Sequence, residues 1–206
     1  MTIFSADGLM MRNEQMAEQV ASDRRGFLRF GLTAGTVAAL GLLLPGTALA
    51  QAQQAAASMG GREIKLRNQH TGEAFRGTYW AGGRYLPDAF AGIKTVMRDH
   101  RTGERFPIDP RLMDILYVLQ SRVGNLGGFE VLSGYRSPKS NAMLRRHGEG
   151  VAKNSLHMSG QAADIKLPGT SLAHVKKAAV SLHSGGVGYY PRTGFVHIDT
   201  GRVRTW

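Results

Sequence analysis

The composition of this 206-residue chain already excludes several kinds of chemistry. Because the sequence contains no cysteine, it forms no disulfide, offers no thiolate nucleophile, and must hold any metal through His, Asp or Glu. The formal net charge of +11 lies wholly in residues 51–206, since the four basic and four acidic residues of the first fifty cancel.

The first fifty residues have the pattern of a cleavable export signal. The pair Arg24 and Arg25 precedes an apolar run over residues 30–44, and small residues follow at Ala48 and Ala50. An arginine pair before a moderately apolar stretch favours the twin-arginine export machinery. The run is shorter than the roughly 20 apolar residues that span a bilayer. We predict a twin-arginine signal over residues 1–50, with cleavage and no stable membrane anchor afterwards; a retained anchor is the alternative.

Export and charge together limit the expected partners. A basic surface favours polyanions, but an exported chain does not meet nucleic acid, and the sequence has no recognised nucleic-acid motif, so we predict no nucleic-acid binding. Anionic cell wall or lipid headgroups fit the charge. So does the plainer alternative that the charge keeps an exported domain soluble. The expected location is the periplasm or elsewhere in the cell envelope.

Residues 51–206 are predicted to contain a short tether and one folded domain. The Gln-, Ala-, Ser- and Gly-rich stretch 51–61 has little to bury and predicts a flexible tether. From Arg62 to Arg67, polar and apolar residues alternate with the period of a half-buried strand. Strand and helix patterns are interspersed over residues 62–206, which indicates an α+β domain.

Further elements follow in chain order. Apolar residues at helical spacing after Asp109 and Pro110 predict a helix that ends at Gly124. The remaining predictions are a strand at 129–132, a helix from Ser137 to about Arg146, a helix capped by Thr170 or Ser171 that ends near Gly185, and strands at 188–190 and 195–200 joined by a turn at 191–194.

Two segments carry candidate metal ligands. His157 lies seven residues before Asp164, with a glycine and small residues between them, and His197 lies near the end of the sequence. Imidazole nitrogen and carboxylate oxygen are good zinc ligands, and three protein ligands leave one coordination position open. In the last strand, alternation places His197 and Asp199 on one face. Taken alone, each residue is more often structural than metal-binding, so spacing leaves both interpretations open.

The pattern Ser-x-His-x-x-Gly-x-Ala-x-Asp at residues 155–164, followed by His-x-Asp at 197–199, resembles the signature of the LAS zinc peptidases, the lysostaphin, D-Ala-D-Ala peptidase and hedgehog group. Segments 62–80, 98–103, 133–138, 185–191 and 199–206 resemble the YcbK-like murein endopeptidases. This resemblance implies a small α+β domain with a central antiparallel sheet that carries the metal and is flanked by helices. It also implies a zinc-dependent endopeptidase that hydrolyses peptide cross-links of peptidoglycan, with one Zn²⁺ held by His157, Asp164 and His197.

The catalytic base of the wider group is missing from its usual position. Many relatives place a Glu three residues before the last histidine ligand, whereas this chain has Gly194 there. Asp199 is the expected substitute, either as the base or as a group that orients His197. His183, just before the Gly-Gly turn, is another candidate base, and a solvated helix end is its alternative role.

Three further residues are candidates for binding substrate. The related peptidases use an arginine in the segment of Arg136 to hold substrate or developing negative charge, for which a forked guanidinium is suited. A surface arginine in a turn is the alternative. Ser155 either anchors substrate or stabilises its loop. Tyr189, with the neighbouring Tyr190, either lines the cleft or packs in the sheet.

Two other functions remain open at this point. Within the enzyme class, a carboxypeptidase that releases terminal D-Ala is the alternative to an endopeptidase. A non-catalytic peptidoglycan-binding module would explain the missing Glu, but it would have little need for an open zinc position.

Overall fold

The computed structural model describes residues 60–147 and 150–206. The predicted export signal and almost all of the predicted tether lie outside these residues. Within the described residues, no helix is long and apolar enough to cross a membrane.

The domain alternates strands and helices, as the sequence predicts. Its strands are β1 (Arg62–Asn68), β2 (Ala74–Ala81), β3 (Arg84–Tyr85), β4 (Phe129–Ser133), β5 (Ala162–Lys166), β6 (Gly186–Tyr190), β7 (Phe195–Asp199) and β8 (Arg204–Thr205). Its helices are α1 (Pro87–Val96), α2 (Pro110–Val123), α3 (Pro138–His147) and α4 (Leu172–Ser181), with a single 3₁₀ turn at Leu156–Ser159.

The described strands form one eight-stranded sheet in the order β3-β2-β1-β4-β5-β7-β6-β8. The expectation of an antiparallel sheet is wrong, because β1 pairs with β4 and β6 pairs with β8 in parallel. Between β1 and β4 the chain forms a hairpin and two helices, and this long connection returns it in the same direction. The sheet is therefore mixed, although the strands that meet at the centre of the site, β5 and β7, are antiparallel.

Local sequence signals explain the helix that the pattern predicts most clearly. In α2, Leu112, Leu116 and Leu119 are fully buried, as their helical spacing requires. The Asp109 carboxylate accepts a hydrogen bond from the Arg111 amide at 2.9 Å and caps the helix start. Gly124 ends the helix with a φ of +71°, a left-handed conformation that suits glycine. The predicted helix is confirmed at both ends.

Other predicted elements differ mainly at their ends or were missed. Helix α3 and strands β1, β4, β6 and β7 lie where the sequence predicts them, whereas α4 ends at Ser181 rather than near Gly185. The sequence did not predict β2, β3, α1, β5 or β8. Strand β5 is a consequential omission because it carries Asp164.

The core lies on one face of the central strands. Val196 and Ile198 of β7 and Ile165 of β5 are almost completely buried and belong to one hydrophobic cluster with the leucines of α2. Side chains alternate along a strand, so His197 and Asp199 project from the opposite face. The same alternation that fills the core therefore places polar side chains on the face away from it.

Candidate metal centre

The central strands bring His197 and Asp164 together. Strands β5 and β7 pair antiparallel with Asp164 opposite His197. Directly opposite residues of an antiparallel pair have side chains on the same face, about 5 Å apart at Cβ. The register alone thus juxtaposes two of the three candidate ligands.

His157 reaches the same point from the 3₁₀ turn that precedes β5. Gly160 ends this turn at a φ of +67°, and its amide donates to the His157 carbonyl oxygen. An added Cβ at Gly160 would lie 2.1 Å from the Pro107 carbonyl oxygen, so both conformation and space require glycine there. The glycine of the sequence signature therefore sets the direction from which His157 enters the site.

The ligand atoms of His157, Asp164 and His197 lie within 4.8 Å of one another. His157 Nε2 is 3.2 Å from His197 Nδ1, and Asp164 Oδ1 is 2.8 Å from His197 Nδ1 and 3.3 Å from His157 Nε2. Three good metal donors at such separations form an open, one-sided cluster, which suits a small divalent cation with a free coordination position. Among the described residues, this is the group of His and acidic side chains with metal-binding geometry.

Each histidine is held through its second ring nitrogen. His157 Nδ1 donates to the Gly134 carbonyl oxygen at 2.7 Å, and His197 Nε2 donates to Asp199 Oδ2 at 3.0 Å. A carbonyl oxygen only accepts, so it fixes the proton of His157 on Nδ1 and leaves Nε2 as a lone-pair donor. Such outer hydrogen bonds orient histidine ligands in metal sites.

Asp199 is completely buried and its carboxylate is fully engaged. Besides His197, it accepts from both terminal nitrogens of Arg204, at 2.7 and 3.0 Å, and from the amides of Gly186 and Gly201, at 3.1 and 2.8 Å. Burial raises the pKa of Asp199, and the hydrogen bonds from His197, Arg204 and Gly201 lower it by more, so the pKa lies below its usual range. The group is a fixed anion behind His197, with no oxygen turned to an incoming molecule.

Asp164 is ionised for a similar reason. Burial raises its pKa, the neighbouring imidazoles of His157 and His197 lower it by more, and the net pKa lies below the ordinary range. Its second oxygen, Oδ2, is 3.6 Å from Arg136 Nη2. Burial lowers the pKa of the Arg136 guanidinium and Asp164 opposes that shift. Arg136 therefore places a largely buried positive charge beside the cluster.

The cluster lies at the floor of a cleft of about 570 Å³, within the roughly 300–1,000 Å³ typical of ligand sites. Arg136 and Ser155 line this cleft, as the sequence predicts for substrate-binding residues. One wall is formed by the 150–156 segment. The other is formed by Tyr190, Phe195, Arg204 and Trp206.

Two predicted site residues lie elsewhere. Tyr189 projects from the opposite face of β6 and borders a surface depression with Lys176 and Val180, because strand alternation places it on the side of buried Val187. His183 is exposed and lies beside Arg111 and Arg202 in a separate depression, since α4 ends two residues before it. The structure therefore does not bring His183 or Tyr189 to the metal cluster.

Tyr190, which the sequence offers together with Tyr189 as a residue of the cleft or of the sheet packing, lies opposite Phe195 on the site face of β6. Sequence reasoning missed other residues of the cleft. Arg204 and Trp206 reach the cleft through the parallel pairing of β8 with β6, which no local pattern predicts. The sequence does not predict the role of the Gly134 carbonyl oxygen, because a backbone acceptor leaves no side-chain pattern in the sequence.

Comparison with known proteins agrees with this geometry. A family model described as "Peptidoglycan L,D-endopeptidase MepK" matches residues 39–206. "Peptidoglycan L,D-endopeptidase MepK" of Escherichia coli (strain K12) is 44% identical over 145 residues, which cover 70% of this chain and 80% of that protein. "Probable peptidoglycan L,D-endopeptidase MepK" of Haemophilus influenzae is 43% identical over 146 residues, covering 70% and 78% of the two chains.

Proposed function

Because this chain belongs to the peptidoglycan L,D-endopeptidase MepK family, we propose that it is a peptidase that hydrolyses peptide cross-links of bacterial peptidoglycan. The cluster of His157, Asp164 and His197 at the floor of an open cleft is the structural observation that supports this function. A binding surface alone has no need for three convergent metal donors beside a buried arginine.

The residues present fit one zinc ion. The donor set of two imidazoles and one carboxylate is a catalytic zinc set, and the second nitrogens of both histidines are already engaged by Gly134 and Asp199. His157 Nε2, His197 Nδ1 and Asp164 Oδ1 are the proposed ligand atoms. Zinc bound in such a site supplies Lewis acidity and lowers the pKa of a water molecule toward about 7.

The remaining polar groups have separate roles. Arg136, whose charge is buried beside the ligands, holds a substrate carboxylate or the negative charge that develops on the scissile carbonyl oxygen. Asp199 orients His197 and keeps a proton on Nε2, because all of its acceptor positions face donors of the protein. The structure supports this orienting role over proton abstraction by Asp199. Ser155 lines the cleft and is a candidate contact for the peptide.

The sequence pattern of the first fifty residues supports a further proposal about location. A twin-arginine signal over residues 1–50 would deliver the domain, after a tether at 51–61, to the envelope compartment in which peptidoglycan lies. Expression of the full chain in strains with and without a working twin-arginine system tests this. Export that persists without the system would contradict it.

Digestion of purified peptidoglycan tests the enzymatic function. Protein comprising residues 51–206 is loaded with zinc, incubated with cross-linked muropeptides, and compared with chelated protein and with a His157→Ala variant. We expect cross-linked peptides to be converted to uncross-linked ones by the zinc-loaded protein alone. Release of D-Ala without loss of cross-links would instead identify a carboxypeptidase. Binding without any product would identify a non-catalytic module.

A further inference from the structure

Trp206 is fixed against the site face of β6 by backbone and side chain. Its amide donates to the Val187 carbonyl oxygen at 3.2 Å, and its carbonyl oxygen accepts from the Tyr189 amide at 3.0 Å. The indole lies over Gly188, where an added Cβ would be 2.7–2.9 Å from three of its atoms. Gly188 pairs with His197 across the strands, so this seat places the indole beside a proposed zinc ligand, with ring centroids 5.3 Å apart.

Two further contacts hold the indole in this position. The Arg204 guanidinium lies over the Trp206 ring at 4.8 Å while it binds Asp199 with both terminal nitrogens. The indole Nε1 donates to the Tyr190 hydroxyl oxygen at 2.7 Å. Tyr190 in turn stacks on Phe195, with ring centroids 4.5 Å apart. The three aromatic side chains therefore form one preorganised wall.

This wall is held firmly yet left open. Trp206 remains 49% exposed although Gly188, Arg204 and Tyr190 contact its indole. A large aromatic side chain that is ordered but uncovered beside a reactive site offers area to a ligand at little further entropic cost. The indole is not part of the hydrophobic core, which lies on the other face of β6.

The Tyr190 hydroxyl is free to donate a hydrogen bond to a ligand. A phenol carries one donor and two acceptor positions. Its oxygen accepts from Trp206, and no described residue accepts its proton. Both Tyr190 and Arg136 line the cleft that contains the ligand cluster. A bound molecule with carbonyl or carboxylate oxygens thus meets donors from both residues.

We propose that Trp206 and Tyr190 form a substrate-binding wall in which the indole packs on an apolar part of the peptide and the Tyr190 hydroxyl donates to a peptide carbonyl or carboxylate oxygen. This inference rests on the proposed peptidase function and names two residues that determine how its substrate is placed. Trp206 acts on Tyr190 as well as on substrate, because its N–H occupies one lone pair of the phenol oxygen and so limits where the phenol proton can point.

The test compares Tyr190→Phe with Tyr189→Phe in the zinc-loaded protein. Both variants lose one hydroxyl from adjacent positions of β6, but Tyr189 faces away from the cleft. Hydrolysis of cross-linked muropeptides should fall about tenfold in kcat/KM for Tyr190→Phe, the loss expected for one hydrogen bond to substrate. Tyr189→Phe should stay within about twofold of the unmodified protein. Zinc content should be unchanged in both, and thermal unfolding should change little in Tyr190→Phe, because the hydrogen bond from Trp206 Nε1 that it loses is exposed.

A double-mutant cycle with Trp206→Phe tests the coupling. If the indole N–H directs the phenol proton, the double variant should lose less than the product of the two single losses. Equal losses for Tyr190→Phe and Tyr189→Phe, or fully multiplicative losses in the cycle, would overturn the proposal.

The outcome is separable from the proposed function. If zinc-loaded protein fails to cleave any muropeptide, the peptidase function fails, and calorimetric binding of intact cross-linked muropeptide then measures the wall directly. Affinity that falls about tenfold for Tyr190→Phe but not for Tyr189→Phe still supports the wall. Affinity that is equal in both variants refutes it.

Discussion

Replacement of Asp199 by Asn tests the outer support of the metal cluster. Asp199 Oδ1 accepts from Gly186, Gly201 and one Arg204 nitrogen, while Oδ2 accepts from His197 and the other Arg204 nitrogen. An Asn oxygen can keep the three donors on the Oδ1 side. Its amide nitrogen then faces two N–H groups, so two charge-assisted hydrogen bonds are lost.

The size of the effect follows from these contacts. A hydrogen bond to a charged group contributes about 1.5–3 kcal/mol. Because the Arg204 side chain is 32% exposed, its share is reduced by solvent, and we expect a loss of about 2–3 kcal/mol in the free energy of unfolding. Loss of an outer hydrogen bond to a histidine ligand lowers metal affinity about 10–100-fold. Asp199→Asn should therefore weaken zinc binding by about one to two orders of magnitude.

Competition with a chromophoric chelator measures the zinc affinity, and denaturant unfolding of the metal-free protein measures stability. Asp114→Asn is the matched control, since Asp114 also binds an arginine, Arg62, and accepts from the hydroxyls of Tyr79 and Tyr85, but lies outside the cleft. It should destabilise the fold without changing zinc affinity. Equal zinc affinities for Asp199→Asn and Asp114→Asn would refute the orienting role of Asp199.

Three other predictions concern Arg136, the aromatic wall and the buried carboxylate of Asp99, which accepts from the Ser137 amide. Arg136→Ala should lower kcat about 10²–10³-fold with zinc content retained, as measured by single-turnover digestion of muropeptides. Gly188→Ala should displace the Trp206 indole, whose atoms lie 2.7–2.9 Å from the added Cβ, and the indole fluorescence and kcat/KM should change together. Burial raises the pKa of Asp99, and the nearby Ser140 hydroxyl together with hydrogen bonds from the Ser137 and Arg101 amides lowers it by more, so its folded pKa lies below the unfolded value of about 3.9. The ionised Asp99 therefore stabilises the fold above the unfolded pKa, and this stabilisation is lost as the pH falls through the folded pKa. The difference in the free energy of unfolding between the unmodified protein and Asp99→Asn should be largest near neutral pH and should shrink below about pH 4.

Contrary results are equally specific. Unchanged turnover in Arg136→Ala would show that Arg136 takes no part in the reaction. An unaltered indole fluorescence spectrum in Gly188→Ala would show that the indole does not pack as closely on Gly188 as the geometry indicates. A stability difference for Asp99→Asn that does not vary between pH 7 and pH 3 would show that the carboxylate gains nothing from ionisation in the fold.

The sequence predicts those parts of the site that depend on short-range regularities. Strand alternation placed His197 and Asp199 on one face, and the burial of Val196 and Ile198 agrees with it. Helical spacing with Asp109 and Gly124 at its ends defined α2. These features depend only on neighbours in the chain, so their signals are complete within a few residues.

Other features depend on pairings between distant segments. The parallel pairing of β1 with β4 joins residues more than sixty positions apart, and no local pattern specifies that direction. The same reason hides Arg204 and Trp206, which reach the cleft only because β8 pairs with β6. The position of His183 away from the metal cluster has a more local reason. The sequence predicts a helix that ends near Gly185, but α4 ends at Ser181 and His183 is exposed beyond it.

The position of each strand in the sheet gives the two halves of the cleft different resistance to local opening. Strands β5 and β7, which carry Asp164 and His197, each pair on both sides, so their amide hydrogens should exchange with solvent only on extensive unfolding. Strand β8 has two residues and a single partner, β6, so the segment that anchors Trp206 should exchange through local fraying. The proposed ligands Asp164 and His197 are thus held by the strands that open least, whereas Trp206 is held by the strand that frays most readily.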